Sequence, residues 1–353
     1  MLIEWLIPIR TTDLLHLGNS NLASIRLRTA VGAAAAEQAG MRNQFTDGFD
    51  APHPDVVIVG KIDITSDPMR LHRWIDRLRT ISKKSRTAIV IDYTDHHLIR
   101  NTDLSAFYNR ALEFASHLVC SSRILQRGLS SYYSGPISVI GDPIEVPILS
   151  PVEKNNSIPT AMWFGHASNL PYLIDFLRDN YRHKEPARLI AMTNLYPLPK
   201  QISELMSGDH LRNLEINVIP WSREDMIKVS TIADVCWIPA GVDDPRKNGA
   251  SANRLLTALA LGLPTAAGAL DSYSYLKDHF VNLPSSEVYE QLEYPHGYFD
   301  VTKAAQIRIQ SENCFEAIGE EWLSFIYWLA ESFSSTTVDK KTNHEIFDRC
   351  KAV

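Results

Sequence analysis

Residues 233–268 read ADVCWIPAGVDDPRKNGASANRLLTALALGLPTAAG. An apolar run ends at Pro239, and a polar loop bearing Arg246, Lys247, Asn248, Ser251 and Asn253 follows. A helix rich in Leu and Ala then starts beside Arg254, and a second short apolar run closes the stretch at 265–267. Strand, loop, helix and strand in immediate succession build a parallel sheet covered by helices. Cations in the first turn of a helix oppose its macrodipole and destabilise it unless an anion is held there too. Lys247, Ser251, Asn253 and Arg254 are therefore read as donors gathered round one oxyanion, with a diphosphate as the fitting guest. The competing reading leaves Lys247 and Arg254 as solvated charges paired with Asp243 or Asp244.

The same alternation runs through the rest of the chain. Strands are expected over 2–9, 55–60, 87–93, 117–120 and 137–140, and again over 161–164, 188–192, 215–219, 234–238 and 265–267. A helix over 22–39 should stop at Gly40, a C′ glycine. Leu71, Trp74, Ile75, Leu78 and Ile81 follow helical spacing. Between the two series, residues 141–160 hold Pro143, Pro147, Pro151 and Pro159 and a polar run, which reads as a linker. Ser222, ahead of Asp225, and Asp271 stand where helix caps are expected. A helical pattern over 311–333 carries Trp322, Phe325, Tyr327 and Trp328. The fold class is α/β, with two Rossmann-like parallel-sheet domains at 1–145 and 158–310 and a closing helical segment at 311–353. Ligands of such sheets sit at the carboxyl ends of the strands, here in a cleft that the two domains would face.

Composition narrows the function. The chain has 353 residues, 45% hydrophobic and 22% charged, with a formal charge of −6, so it is globular and has no general attraction for nucleic acid. Cys120, Cys236, Cys314 and Cys350 are dispersed and form no CxxC pair, which points to neither zinc nor disulfides and fits a reducing cytoplasm. Residues 2–9 read as a strand and not as a signal peptide. The least polar stretch, 255–270, is broken by Gly262 and Pro264 and is shorter than the roughly 20 residues that cross a bilayer. Over 69–86 there are seven Lys or Arg against one acid, Asp76. Arg70, Arg73, Arg77 and Lys84 would line one helical face, a stripe that would attract anionic lipid at the inner face of a membrane or else be plain solvated surface.

Two further segments carry candidate chemistry. In AIVIDYTDHHLI, residues 88–99, a strand runs into Asp92, Asp95, His96 and His97. Asp95 and His96 are the candidate catalytic pair, since imidazole exchanges a proton near neutral pH. The alternative makes Asp95 a helix cap. Adjacent histidines rarely reach one ion, so no metal is expected. The first loop sets Gly18 and Asn19 ahead of a helix bearing Arg26 and Arg28, where phosphate or a charged acceptor could be met; otherwise both arginines are exposed. Lys61, after the run DVVIVG, stands in a comparable place.

Residues 233–268 resemble the donor-site block of GT-B glycosyltransferases, above all the family 4-like branch of surface-polysaccharide synthesis. AMWFGHASNLPYLIDFL at 161–177 resembles the opening of the donor domain, with Gly165 and Asn169 at its turn. LVCSSRILQRGL at 118–129 with ISVIGDPIE at 137–145 is similar to the end of the acceptor domain, and GNSNLASIRLR at 18–28 to its first loop and helix. The resemblance implies transfer of a sugar from a nucleotide-sugar to a glycan, lipid-linked or other acceptor, with no cofactor. Gly18, Arg26, Gly165, Asn169, Lys247, Ser251, Asn253 and Arg254 would bind the donor and its phosphates, and Asp95 and His96 would serve catalysis. Gly249 and Thr257 stand where many family 4 members have paired glutamates, so this chain resembles a divergent subgroup. A nucleotide-sugar epimerase or hydrolase and a non-catalytic nucleotide-sugar-binding subunit are the alternatives. An NAD enzyme is disfavoured, because no GxGxxG follows the first strand.

Overall fold

A computed structural model describes residues 1–334 except 10, 12, 50, 63–68, 84–86, 101 and 195–210. The chain divides into two compact units. One comprises residues 1–143 with the segment from Phe315 onward, the other Ile144–Cys314.

The first unit holds six parallel strands: β1 (Leu2–Leu6), β2 (Arg42–Thr46), β3 (Val56–Val59), β4 (Ala88–Tyr93), β5 (His117–Cys120) and β6 (Ile137–Val139), in the order β2-β1-β3-β4-β5-β6. β3 to β5 are buried throughout, which is why they read as unbroken apolar runs. β2, RNQFT, was not expected from the sequence. It lies at the sheet edge, paired with β1 alone, and its mostly polar residues show no apolar run. The helix expected over 22–39 starts as a π-turn at Ile25–Thr29 and continues as Ala30–Gln38, and Gly40 follows at φ +74°. Its small residues admit two tryptophans: a Cβ on Gly32 would lie 2.5 Å from the Trp5 ring and 3.1 Å from Trp322. Trp322 comes from the last helix, Phe315–Ser334, and meets Trp5 edge to face at 5.8 Å. The helical pattern expected at 311–333 is thus split, the helix Phe299–Glu312 belonging to the second unit and the tryptophan-bearing helix to the first.

The second unit holds β7 (Thr160–Phe164), β8 (Ala187–Thr193), β9 (Leu214–Pro220), β10 (Val235–Ile238), β11 (Thr265–Gly268) and β12 (Val281–Leu283), all parallel, in the order β12-β11-β10-β7-β8-β9. Counted within the unit this is the dinucleotide-fold order read from its far edge, and the order reverses between β7 and β10. β12 is a three-residue edge strand that the sequence did not announce.

Three expectations are corrected. The stretch expected as a linker has no regular structure, yet it is held: Ile144 and Val146 join the second core, and Leu149 donates its N–H to Ala260 while its carbonyl accepts from Gln306. Ser222 does cap its helix, accepting from the Asp225 N–H at 2.9 Å, but Asp271 caps none; its N–H and carboxylate are both bound by the Asn248 amide. The basic helix Arg70–Ser82 turns Arg70 and Arg77 inward, with Arg73 half-buried beside them. Arg70 and Arg73 bind Asp47, and Arg77 binds Glu4, because the apolar face is flanked by these buried carboxylates. Paired cations have no charge to spare for lipid. Lys84 lies outside the described residues. Among the described residues no helix is long and apolar enough to cross a membrane.

Candidate functional site

In the second unit, β7 ends at Phe164 and the chain turns at Gly165, beside the point where the strand order reverses. Arg254 reaches this end from the second position of the helix Asn253–Ala260. Its Nε donates to the Phe164 carbonyl at 2.9 Å, and its guanidinium lies 5.4 Å from the Trp163 ring and 5.9 Å from that of Phe164. A Cβ at Gly165 would sit 3.3 Å from the guanidinium carbon and from Nη2, so glycine is what leaves this space to the arginine. Nη2 is buried and has no hydrogen-bond partner among the described residues. Burial pulls the Arg254 pKa down, against a smaller upward pull from Tyr273 and Cys236, neither of which is a carboxylate. Arginine cannot discard its proton to relieve such a cost. A bound anion would meet both the unmatched charge and the unmet donor.

The other donors expected here lie on the same stretch between β10 and β11. Lys247 is half-buried on the turn Pro245–Asn248. Ser251 Oγ accepts from the Asn253 N–H at 3.2 Å, which fixes the approach to the helix. Asp244 pairs with Arg246 at 2.7 Å and accepts from the Tyr172 hydroxyl at 3.3 Å. The solvated alternative for Arg254 is therefore not what the structure has. Asn169 stands ahead of the helix Leu170–Asp175 without capping it through its side chain.

The first unit gathers a different group after β4. Asp95 is ion-paired with Lys61, which follows β3. His96 meets Tyr93 and Tyr132 edge-on at 6.1 and 5.6 Å, and its Nδ1 lies 3.3 Å from the Tyr93 hydroxyl. Burial lowers its pKa, which favours the neutral ring at pH 7. His97 stacks on Tyr108 at 5.6 Å and meets Tyr93 edge-on at 6.4 Å, so the neighbouring imidazoles share Tyr93. Asp92 belongs to the core: Arg28 grips it through Nε at 2.8 and 2.7 Å and holds Asp142 through Nη1 at 2.8 Å. Arg26 and Arg28 are buried, not exposed, and Arg26 donates to the Ser20 carbonyl at 2.6 Å. Gly18 ends the short helix Leu14–Gly18 with open space beside it.

Sequence reasoning put Arg254 among the donors but missed its setting. The flat faces of Trp163 and Phe164 precede Gly165 directly, which is a visible pattern; the Phe164 carbonyl as acceptor leaves no trace in residue types.

No protein-family model matches the chain, and no curated protein matches it in sequence. Solved structures do match its fold. A sucrose-phosphate synthase from Thermosynechococcus elongatus is similar at TM-score 0.64 and 11% identity, over 94% of this chain and 99% of that one. An α-glucosyltransferase (AGT) in complex with UDP is similar at TM-score 0.59 and 10% identity, over 92% and 99%. AviGT4, a glycosyltransferase of avilamycin A biosynthesis, is similar at TM-score 0.52 and 13% identity, over 96% and 99%. The chain has the two-sheet α/β fold of GT-B glycosyltransferases.

Proposed function

We propose that the chain transfers a glycosyl group from a nucleotide-sugar, with the donor diphosphate held by the second unit at Arg254 and the acceptor served by the first. The observation that carries this reading is the half-buried Arg254, its Nη2 out of solvent and unpartnered and no carboxylate paired with it among the described residues, at the reversal of strand order where Rossmann-like sheets take ligands. In the reaction the bond from the anomeric carbon to the diphosphate breaks, the acceptor oxygen bonds to that carbon, and negative charge builds on the departing phosphate. A fixed cation in a site of low dielectric stabilises that charge without reorganising. Lys247, Ser251 and Asn253 would add donors along the same loop. The acceptor proton would pass to His96, whose neutral ring suits a base, or to Asp95, which Lys61 orients. UDP, bound by the α-glucosyltransferase of similar fold, is the first nucleotide to try.

A panel of nucleoside mono- and diphosphates in a thermal-shift assay tests the donor site. A nucleotide at a hundred times its dissociation constant should stabilise the fold by about 2.7 kcal/mol. Arg254→Gln should remove that gain; an unchanged shift in this variant refutes the assignment. A nucleotide-sugar panel then tests the chemistry, since transfer consumes donor only with an acceptor present. Gly249 and Thr257, in place of carboxylates, support a second reading, a subunit that binds a nucleotide-sugar without turnover. Thr257 Oγ1 is buried with no hydrogen-bond partner among the described residues, so no residue has taken over a glutamate's contacts there. Binding with no consumption under any acceptor would select that reading.

A further inference from the structure

At the other end of the second sheet, the residues just before β8 and β9 enclose a cavity of about 330 Å³. It is lined by Arg178, Arg182, His183, Lys184 and Arg212, with Tyr181 and Asn213 between them. Strands of seven residues rise roughly 3.3 Å per residue, so the cavity lies about 20 Å along the sheet from the carboxyl ends where Arg254 sits. It does not depend on the reading of that site.

The walls are built and not merely crowded. Asn213 donates its side-chain amide to the Lys184 carbonyl, and the Arg182 N–H donates to the Tyr289 hydroxyl at 2.6 Å. The Arg182 guanidinium donates to the carbonyls of Tyr181 and Asp179 at 2.6 and 2.5 Å. His183 is buried, its Nε2 2.9 Å from Glu293 and its Nδ1 3.0 Å from the Glu185 carbonyl. Of the five basic groups, Arg178 has its own acids, Asp175 and Asp179, and His183 has Glu293. Arg182, Lys184 and Arg212 pair with no carboxylate among the described residues. Tyr181, only 1% exposed, borders the same cavity, its ring packed in the core against Trp237 and Tyr289. Three cations along one cavity, with no carboxylate partner among the described residues, are an arrangement that a multivalent anion completes, since charge-assisted bonds to phosphate oxygens are the strong ones.

We propose that this cavity is a second anion site, which takes a ligand bearing two or more phosphate groups through Arg182, Lys184 and Arg212. Its volume, at the lower end of ligand pockets, admits a diphosphate with a small substituent. Such a group could be free in solution or carried on an anionic lipid, and the test separates these sources.

Inorganic pyrophosphate is titrated by calorimetry into the full-length Arg254→Gln protein, in which the other phosphate site is disabled. One equivalent should bind, and Lys184→Gln with Arg212→Gln added should weaken it at least tenfold. These side chains are exposed, and an unchanged melting temperature confirms that the fold persists. In a second arm the same proteins are sedimented with vesicles containing phosphatidic acid. Loss of vesicle binding in the double variant, where soluble pyrophosphate never bound, supports the site with lipid as the source. Absence of saturable binding in both arms, or binding that the double variant leaves unchanged, overturns the proposal.

Discussion

Arg28 in the first unit, fully buried, and Arg254 in the second, half-buried with Nη2 out of solvent, both stand behind the ends of parallel strands, and they differ in what surrounds the charge. Burial alone would lower the pKa of either. For Arg28 the carboxylates of Asp92 and Asp142 more than offset that, and its pKa is raised; for Arg254 the weaker pull of Tyr273 and Cys236 does not, and its pKa is lowered. His117 completes the series. It is buried at 2% exposure, with the Ser138 hydroxyl at 2.9 Å and no acid paired with it among the described residues, and burial takes its pKa down to about 4. Histidine answers burial by losing its proton, and arginine has no such escape. A buried arginine is therefore either closed within the chain, as Arg28 is, or open to an anion from outside.

The largest expected effect separates the two arginines by stability. Arg28→Met leaves Asp92 and Asp142 buried without a cation and should cost about 3 to 5 kcal/mol in urea unfolding. Arg254→Met removes an uncompensated charge and one hydrogen bond, and should change stability by no more than about 1 kcal/mol. Equal losses would break the distinction. Adding Asp92→Asn and Asp142→Asn to Arg28→Met should recover part of the loss, whereas a cation held only for packing would show no recovery.

His117 gives the next effect, and its sign follows from proton counting. Between about pH 6.5 and 4 the unfolded chain binds the proton and the folded chain does not, so this group's contribution is full above 6.5 and is lost as pH falls towards 4. The loss should approach about 3 kcal/mol, at about 1.4 kcal/mol per pKa unit. Subtracting the pH–stability curve of His117→Asn from that of the parent isolates it; parallel curves would show that the ring is charged in the fold.

Gly165→Ala should give the smallest effect. The added methyl meets the Arg254 guanidinium and the Trp163 ring at 3.3 Å, so one of them must shift by a few tenths of an ångström. A stability cost of about 1 kcal/mol is expected, with weaker nucleotide binding as the guanidinium moves. Unchanged nucleotide affinity at that cost would place the ligand elsewhere.

Most strands were legible because β3, β4, β7 and β10 are buried on both faces and leave unbroken apolar runs. The edge strands β2 and β12 were not, since a strand paired on one side need not be apolar. The arginines of the basic helix misled for a related reason: Arg70 and Arg77 have the spacing of an exposed face, and only the placement of Asp47 and Glu4 shows that the face is paired and buried. Among the site residues, Arg254 and Gly165 drew notice through the loop and turn they occupy. The hydrogen bond from Arg254 to the Phe164 carbonyl, next to Gly165, spans chain positions 90 apart, which no local pattern reports.

Residue order alone determined that this chain makes two series of parallel strands under helices, because apolar periodicity and helix-ending residues act over a few positions. Tertiary structure decided which charges are matched. Whether a guanidinium finds a carboxylate, as Arg28 does at Asp92 and Asp142, or faces an unmet site, as Arg254 does, depends on groups brought together from distant parts of the chain.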